Sequence, residues 1–463
     1  MPGDRTTEDG IHVIVIGAGL AGLAVSISTK LANPRHQVTI FETAKVLQEI
    51  GLKPEREPSL RLHKKAGLQI TPNATKLLQR WSVADALAPV AIAPRTLTVR
   101  RYDGTSILAH EGSMRSVMED RYGAPFWDVH RVDLQRELVR RCGELGVRIE
   151  LGRRVVDVNF AAASVALEGG REEKGDAVVC AEGLWSSTRA KFLGRESEPA
   201  PTGDLAFRIS FETKDLKGPH REEIRALARS EAVNFWIGPG CHAVSYAVRG
   251  GDVLNVGLLK PDDLPEGVAR VDADPEEMRA MFRGWDPLLM KMLEEVDHVQ
   301  RWRLLWVDAL EEWTTRDGRF FMIGDSCHPM LPYLAQGANS ALEDGAVLGY
   351  LLGKVGRGVA AVQLPAVAEM YQALRRERGK EIQRESFRQR KDFHLPDGEQ
   401  QVARDAVFRE AFEKGEPGEG FPSRWTCPRV QRFLYGYDAY AEAEALYQKS
   451  SSEGERMLFT RGD

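Results

Sequence analysis

One short segment near the N-terminus constrains the fold more than any other part of this sequence. Residues 11–17, IHVIVIG, form a β-branched apolar run typical of a buried strand, and Gly17, Gly19 and Gly22 follow it in the spacing GxGxxG. Glycines at these positions permit a tight turn, close approach of a pyrophosphate to the backbone, and close packing of the next helix on the strand. A second strand, QVTIFE, ends at Glu42, where a carboxylate can accept hydrogen bonds from ribose hydroxyls. This strand–helix–strand unit predicts a dinucleotide-binding fold without identifying the dinucleotide.

The composition of the chain excludes several classes of protein. Its 463 residues are 43% hydrophobic and 28% charged, which is typical of a soluble protein with two or three domains. A net charge of −5 argues against a general nucleic-acid-binding protein, and no apolar run approaches the roughly 18 residues of a membrane helix. The polar first ten residues do not resemble a secretory signal, and the cysteines and histidines form neither CxxC nor HExxH. We therefore expect a cytoplasmic protein with free thiols, no metal ion, no nucleic-acid partner and no stable membrane association.

The hydrophobic pattern of the rest of the chain indicates two kinds of sheet. Apolar strands alternate with helical segments in about the first 200 residues and again from RFFMIGD onward, as in a Rossmann-like α/β domain with a mixed sheet. Between about residues 205 and 260, alternating segments such as HAVSYAV are typical of an antiparallel sheet. The predicted fold class is α/β (α+β), with a discontinuous cofactor-binding domain at 8–95, 125–198 and 300–375, a substrate-binding β-sheet domain at 96–124 and 199–299, and a C-terminal helical region at 376–463. The basic run YQALRRERGKEIQRESFRQR favours a solvated helix face over a phosphate-binding patch.

A second motif follows the apolar strand at residues 176–180. Glu182 and Gly183 come at the carboxyl end of this strand, where ligands bind in open α/β sheets. Ser186 and Arg189 then begin a helix that can hold a phosphate or a ribose. An ordinary strand–turn–helix without a ligand explains the same pattern, and both interpretations stay open.

A third motif, GDSCHPMLPYLAQGAN, begins with a buried strand that delivers Asp325 to the carboxyl end of the sheet. About eleven residues later, Gln336 opens a long helix, whose positive end and free amides stabilise an anion such as the pyrimidine side of a reduced flavin. Small residues at Gly337 and Ala338 allow a ring to lie close to the backbone, while His328 is typical of a capping or core histidine.

In this order and at these distances, GAGLAG with Glu42, AEGLWSSTR and GDSCHPMLPYLAQGAN resemble the three motifs of the single-component FAD-dependent aromatic hydroxylases, a family of flavoprotein monooxygenases. The resemblance covers nearly the whole chain and is strongest to the salicylate-hydroxylase-like branch of the fungal type. It implies one FAD in a Rossmann-like domain, with NADPH or NADH as a transient electron donor and O2 as co-substrate. The residues that it assigns to FAD are Gly17, Gly19, Leu20, Ala21, Gly22, Glu42, Gly67, Arg131, Glu182, Asp325, Gly337 and Ala338. The family usually has Asp-Gly where this chain has Glu182-Gly183, so the geometry of that contact is expected to differ.

The resemblance also implies the reaction. NAD(P)H reduces the flavin, O2 adds to give a flavin hydroperoxide, and the distal oxygen is transferred to an electron-rich ring. The expected substrate is a salicylate-like or orsellinate-like acid or a polyketide-derived phenol, hydroxylated with or without decarboxylation, in secondary metabolism or aromatic catabolism.

Three residues of the predicted antiparallel sheet are candidates for the chemistry at the substrate. His242 and Tyr246 lie four residues apart on one strand, so their side chains share a face, and histidine has a pKa suited to a general base. Their HxVxY spacing resembles the histidine–tyrosine pair of the family's hydroxybenzoate members. Arg208, on a neighbouring strand, is a candidate partner for a phenolate or carboxylate, and Trp236 is a candidate for the pocket wall. Ordinary packing of the histidine and tyrosine, and pairing of Arg208 with a structural acid, are the alternatives.

Two other functions stay open. A flavin epoxidase or an N-heteroaromatic (indole or quinolone) hydroxylase uses the same scaffold, and a flavin-binding protein without hydroxylase activity is the alternative from a different class. A small aromatic molecule is the expected partner of either enzyme, and both a monomer and a homodimer are compatible with the sequence.

Residues 52–65, LKPEREPSLRLHKK, interrupt the chain between QEIG and AGLQITPNA. Members of the family are expected to run straight through this point, so the resemblance marks the segment as an insertion. Its prolines and charges predict a solvated polar loop. Three interpretations stay open: a neutral surface loop, an artefact of a mispredicted exon boundary, and a loop whose basic residues meet the phosphates of NADPH.

Overall fold

The computed structural model describes residues 10–47, 67–415 and 417–459, with side chains described as far as residue 450. The loop predicted at residues 52–65 lies outside these ranges. A five-stranded and an eight-stranded sheet dominate the described chain, and smaller sheets of two and three strands accompany them.

The strands, numbered in chain order, are β1 (His12–Ile16), β2 (Gln37–Glu42), β3 (Gly67–Ile70), β4 (Thr96–Arg101), β5 (Ile107–Glu111), β6 (Trp127–His130), β7 (Arg148–Leu151), β8 (Val155–Asn159), β9 (Ser164–Leu167), β10 (Glu172–Lys174), β11 (Ala177–Cys180), β12 (Ala200–Glu212), β13 (Ala232–Gly238), β14 (Cys241–Val248), β15 (Val253–Pro261), β16 (Arg270–Ala273), β17 (Val299–Trp306) and β18 (Phe320–Met322).

The α-helices are α1 (Leu20–Ala32), α2 (Pro72–Arg80), α3 (Ala84–Leu87), α4 (Met114–Tyr122), α5 (Arg131–Glu144), α6 (Ser187–Leu193), α7 (Arg221–Arg229), α8 (Pro275–Met281), α9 (Pro287–Glu294), α10 (Gln336–Leu352), α11 (Ala360–Phe393), α12 (Glu399–Lys414), α13 (Pro428–Tyr435) and α14 (Ala439–Phe459). Short 3-10 turns at Gly324–Ser326 and Pro332–Leu334 lie between β18 and α10.

The five-stranded sheet has the order β18–β11–β1–β2–β7, and each described pair in it is parallel. The middle strands β11, β1 and β2 are mostly apolar and are buried except at His12 and Gln37, as expected where helices cover both faces of a parallel sheet. The sequence pattern predicted a mixed sheet here, but the antiparallel strands of this region form a separate three-stranded sheet, β10–β9–β8. Because the five strands are parallel, the loops that follow β1, β2, β11 and β18 meet at one edge.

Helices α1 and α10 pack against each other through small residues. A Cβ atom added at Gly345 of α10 would lie 2.5 Å from the Cβ atom of Ala24, and one added at Gly349 would lie 2.5 Å from the Cβ atom of Ser28. Such distances are far shorter than van der Waals contact, so this approach requires the absence of a side chain. Almost the whole of α10 is buried, so the contact fixes the position of its N-terminus relative to the glycine turn before α1.

We expect the substitution Gly349→Ala to destabilise the protein by about 1–3 kcal/mol because the added methyl group overpacks the α1–α10 contact. The control is Gly143→Ala in α5, where nothing lies within 4 Å of an added Cβ atom. There the better helix propensity of alanine should stabilise the protein by about 0.5–1 kcal/mol. Urea unfolding of both variants measures the difference, and equal effects of the two substitutions would contradict the close packing.

The eight-stranded sheet has the order β16–β17–β12–β15–β14–β13–β4–β5 and is antiparallel except for the parallel pair β13–β4. Residues such as Phe207, Trp236 and Leu258 point to one face, the outer face, where α7, α8 and α9 cover them. On the opposite, inner face, the turn around Pro332–Leu334 packs on β12 and β15. The inner face therefore opposes the segment that connects β18 to α10.

The two-stranded ribbon β3–β6 and the C-terminal helices complete the surroundings of the inner face. Tyr246 of β14 donates a hydrogen bond to the carbonyl oxygen of Gly67 in β3, at 2.9 Å. Helices α12 and α13 contribute Phe408, Val430 and Leu434 to a hydrophobic cluster with the inner face of β13. The α/β (α+β) fold class is thus confirmed. The solvated face predicted for the basic run is wrong at two positions, since Arg375 and Arg378 of α11 are buried.

Among the described residues, no single helix is long and apolar enough to span a membrane, although the bent pair Gln336–Leu352 and Arg357–Phe393 meets the length and composition criteria together.

Candidate active site

The glycine turn after β1 has the geometry that its sequence predicts. Gly17 adopts a φ of +104° and donates its N–H to the carbonyl oxygen of Phe41, at 2.9 Å. A Cβ atom at Gly22 would lie 2.0 Å from the carbonyl oxygen of Gly17, whereas one at Gly19 would meet nothing within 4 Å. There is therefore no room for a side chain at Gly17 or Gly22, whereas the space beside Gly19 is open, as the pyrophosphate of a dinucleotide requires.

Glu42 holds this turn in place from the end of β2. Its carboxylate is buried and accepts hydrogen bonds from the N–H groups of Ala18, at 2.8 Å, and Ala44, at 2.7 Å. Leu20 and Ala21 follow in the first turn of α1. The carboxylate retains further acceptor capacity for a ribose hydroxyl, so the residues fit the ADP half of FAD.

Glu182 follows β11 but directs its carboxylate toward α6. It accepts hydrogen bonds from the hydroxyl of Ser186, at 2.6 Å, and from the N–H of Thr188, at 3.1 Å. The adjacent Gly183 donates its N–H to the hydroxyl of Ser326, at 2.9 Å, which joins this loop to the one after β18. The buried guanidinium of Arg189 reinforces the same junction by donating to backbone carbonyls, including that of Ser326. The longer glutamate thus caps α6, and its contact with FAD stays a prediction.

Asp325 and Arg131 come together at the same edge of the sheet. The Asp325 side chain is accessible to solvent, yet desolvation by the surrounding protein raises the pKa of its carboxyl. Electrostatic interactions with His328 and Arg131 partly oppose that rise. Asp325 is thus a carboxyl group that a ligand at this edge of the sheet can reach.

The N-terminus of α10 is held against β3 by amide side chains. Asn339 accepts from the N–H of Thr71 and donates to the carbonyl of Gln69, both at 3.0 Å. Ala335, directly before the helix, has a φ of +51°, a strained conformation for a residue with a side chain. Gly337 leaves its surroundings open, since an added Cβ atom would meet nothing within 4 Å. The positions predicted near the flavin ring, Gly67 of β3 and Gly337 and Ala338 of α10, thus lie on two segments that are joined by hydrogen bonds.

A buried ionic network lies beneath this helix N-terminus, and no short-range pattern in the sequence indicates it. Asp344 of α10 contacts His328 at 2.5 Å and Arg375 at 2.7 Å, and Glu343 pairs with Arg375 at 2.6 Å and Arg378 at 2.8 Å. Burial would raise the pKa of the Asp344 carboxyl, but the contacts with His328 and Arg375 outweigh burial and lower that pKa. The backbone N–H of Gly324, directly before Asp325, also donates to the carboxylate of Asp344, at 2.8 Å. The network therefore supports the loop that carries Asp325.

The three predicted substrate residues all point to the inner face, but their surroundings differ. Arg208 is exposed, with its guanidinium 5.4 Å from the centre of the Trp302 ring. Burial raises the pKa of Tyr246, and the positive charge of Arg208 opposes that rise. Strand β15 lies between β12 and β14, so the prediction that Arg208 is on the strand next to Tyr246 is wrong, although both side chains point to the same face. Trp236 was predicted for the pocket wall, and this is wrong: it lies on the outer face and donates to Asp286, at 2.7 Å.

His242 is buried on the inner face of the sheet. Its Nδ1 lies 2.7 Å from Nε2 of His394, at the end of α11, and Tyr333 and Phe393 pack against the ring. Burial, with a smaller contribution from His394, holds the pKa of His242 well below its usual value. The imidazole is therefore neutral near pH 7.

This histidine pair makes stability depend on pH. Burial, reinforced by the charge of Arg390, lowers the pKa of His394 to about 3. Below about pH 6.5 the unfolded chain takes up protons on both histidines while the folded pair does not, so the pair's contribution to stability falls as pH drops from 6.5 toward 3. His394→Gln removes one of the two histidines. In this window the slope of its free energy of unfolding against pH should therefore be smaller than that of the wild type by about 1.4 kcal/mol per pH unit. Urea unfolding at pH 6.5 and 5.0 measures both slopes, and parallel slopes would contradict this account.

Two further polar residues near Tyr246 were not identified from the sequence. Asp128 of β6 is buried and accepts from the side-chain amide of Gln69, at 3.0 Å, and burial raises the pKa of its carboxyl well above the usual value. Asn255 of β15 lies directly opposite Tyr246 and accepts from the N–H of Gly67, at 2.9 Å. Asp128 is the one acidic residue in FWDVH and Asn255 is the one polar residue in VLNVGLL, and these interruptions of apolar strands were the available signal.

Comparisons with known proteins agree with this geometry. A family model described as an FAD binding domain matches residues 10–386. The FAD-dependent monooxygenase OpS4 of Beauveria bassiana is 47% identical over 437 residues, which cover 94% of this chain and 97% of that protein. The 3-amino-4-hydroxybenzoate 2-monooxygenase PtmB3 of Streptomyces platensis is 31% identical over 85% of this chain and 91% of its own length. A solved salicylate hydroxylase–substrate complex shares the fold, with a TM-score of 0.72 at 22% identity over 94% of this chain and 98% of that one.

Proposed function

Since this chain belongs to the FAD-binding-domain family and is an FAD-dependent monooxygenase of its salicylate-hydroxylase-like branch, we propose that it hydroxylates a small phenolic acid with NADPH or NADH as electron donor. The observation that carries the proposal is the exposed guanidinium of Arg208, on the same inner face as Tyr246 and opposite the segment that leads into α10. The relative named for an aminohydroxybenzoate supports the same class of substrate.

Bound FAD supplies the activation of O2 and the transfer of one oxygen atom. The glycine turn and Glu42 would hold its ADP half, Arg131 and Asp325 its central part, and Gly67, Gly337 and Ala338 would border the ring. Glu182 would not bind FAD directly but would hold the loop between β11 and α6 in place. The N-terminus of α10 would stabilise negative charge on the ring.

Arg208 would bind the carboxylate or the phenolate of the substrate. A guanidinium matches the geometry of a carboxylate and lowers the free energy of a neighbouring phenolate, which is the more reactive form of the ring. Tyr246 would form one wall, with its hydroxyl committed to Gly67.

His242 would accept the phenolic proton while neutral. Its Nδ1 is engaged with His394, so Nε2 is the nitrogen available for this role. A lowered pKa makes His242 a weak acceptor. The proposal therefore assigns to Arg208 the larger part in favouring the phenolate.

Purified protein reconstituted with FAD, supplied with NADPH or NADH and a panel of salicylate-type and orsellinate-type acids, tests the proposed function. We expect one or more acids to accelerate oxidation of the nicotinamide and to gain one oxygen atom by mass, or to exchange a carboxyl group for a hydroxyl group. Acceleration with H2O2 as the only product identifies an acid that binds without being hydroxylated. If no acid accelerates oxidation, the substrate class is wrong.

A further inference from the structure

Asn255 carries a hydrogen-bond donor that no described residue accepts. Its Oδ1 accepts from the N–H of Gly67, at 2.9 Å, and its Nδ2 is buried without a partner. The side chain is only 7% exposed. Leaving such a donor unpaired in the interior costs about 1–3 kcal/mol, so it needs a partner.

The orientation of this amide is determined by its neighbours. The N–H of Gly67 is a donor, so the atom that faces it has to be the side-chain oxygen of Asn255, and the remaining atom is the NH2 group. A Cβ atom added at Gly67 would lie 2.7 Å from Nδ2, so the NH2 group lies directly over the Cα atom of Gly67. The donor therefore lies at the junction of β3 with the inner face.

The groups around Nδ2 of Asn255 favour an anionic ligand as its hydrogen-bond partner. The hydroxyl of Tyr246, directly opposite on β14, donates to the carbonyl of Gly67. Ser210 is the register partner of Asn255 on the adjacent strand β12, and Arg208 lies two residues from Ser210 on the same face. A cation and an unpaired donor on one face fit an anionic ligand with several oxygen atoms.

We propose that Asn255 is a substrate-binding residue, which donates its side-chain N–H to an oxygen atom of the aromatic acid and so selects among ring substitution patterns. The inference rests on the proposed function and deepens it. Arg208 would bind one oxygen-bearing substituent, and Asn255 would bind another.

The test is the affinity of oxidised, FAD-loaded protein for salicylate, benzoate and phenol, followed by the change in flavin absorbance. Asn255→Asp keeps an acceptor for the N–H of Gly67 and removes the donor, and Asn255→Ser is a neutral second variant. We expect both variants to raise the Kd of salicylate at least tenfold. Benzoate lacks the hydroxyl group of salicylate, and phenol lacks its carboxylate. The rise in Kd should be absent for the one of these two ligands that lacks the oxygen atom bound by Asn255. Phenol carries no carboxylate, so it also separates a lost N–H from repulsion by the new aspartate.

The matched control is Asn234→Asp, on strand β13 of the same sheet. Asn234 is also buried, its Oδ1 accepts from Arg100 at 2.6 Å, and its Nδ2 also has no partner among the described residues, but it lies on the outer face. Its substitution should leave the Kd of salicylate unchanged.

The outcomes separate this inference from the proposed function. Wild-type affinity in both Asn255 variants overturns the inference alone, since it means that solvent satisfies the donor. An equal rise for all three ligands, with loss of FAD, also overturns it, because it indicates that Asn255 only positions Gly67. A wild-type protein that binds none of the three ligands overturns the proposed function, and the inference with it.

Discussion

The substitution Arg375→Met is expected to lower the free energy of unfolding by about 3–5 kcal/mol, the cost of leaving buried charges without their partner. Arg375 is completely buried and contacts both Glu343, at 2.6 Å, and Asp344, at 2.7 Å. It also donates to the hydroxyl of Ser340, at 3.0 Å. Methionine has a similar length but no charge, so both carboxylates lose the cation that they share without a large cavity being formed. Glu343 keeps Arg378 and Asp344 keeps His328. Urea unfolding of the FAD-loaded protein measures the change.

The control for this substitution is Arg384→Met on the same helix. The Arg384 side chain is 54% exposed and pairs with Glu381 at 3.2 Å. A surface pair of this kind contributes about 0–1 kcal/mol, so the control should lie close to wild type. The Arg375 variant should also bind FAD more weakly, because Asp344 anchors the loop that carries Asp325. Equal stability of the two variants would contradict a structural role for the buried network.

The parts of the fold that follow from local patterns were predicted well. The β-branched run and three glycines at the N-terminus predict β1, the turn and α1, and the close approach at Gly22 agrees with the role expected for that glycine. Helix α10 begins at the residue where the sequence predicts a helix, Gln336. In each case, propensity, periodicity and glycine geometry within about twenty residues carry the information.

The parts that depend on distant partners were not predicted. The basic run in α11 was assigned to a solvated face because nothing near it in sequence requires a cation, yet Glu343 and Asp344 on another helix bury two of its arginines. Trp236 was assigned to the wrong face because the register of β13 with β14 decides which residues of each strand share a face. The partner of His242 is His394, which lies 152 residues away in the chain.

Arg208→Gln is expected to have the largest effect on turnover of a phenolic acid. Hydrogen bonds to charged groups contribute about 1.5–3 kcal/mol, so kcat/KM should fall by roughly 10- to 150-fold. The loss should appear mainly in KM if Arg208 binds a carboxylate that does not change during the reaction. It should appear in kcat as well if Arg208 stabilises the phenolate, because that charge develops at the reacting ring.

Arg270→Gln is the matched control for this prediction. The guanidinium of Arg270 lies 5.1 Å from the centre of the Trp302 ring, and that of Arg208 lies 5.4 Å from it, so both substitutions remove a similar contact with the ring. Of the two arginines, Arg208 is the one whose charge shifts the pKa of Tyr246. If Arg208 merely packs on Trp302, the two variants should show the same small loss of activity. If it binds the substrate, only Arg208→Gln should lower kcat/KM for the acid. The effect on phenol should be smaller if Arg208 binds the carboxylate, which phenol lacks, and similar if Arg208 stabilises the phenolate.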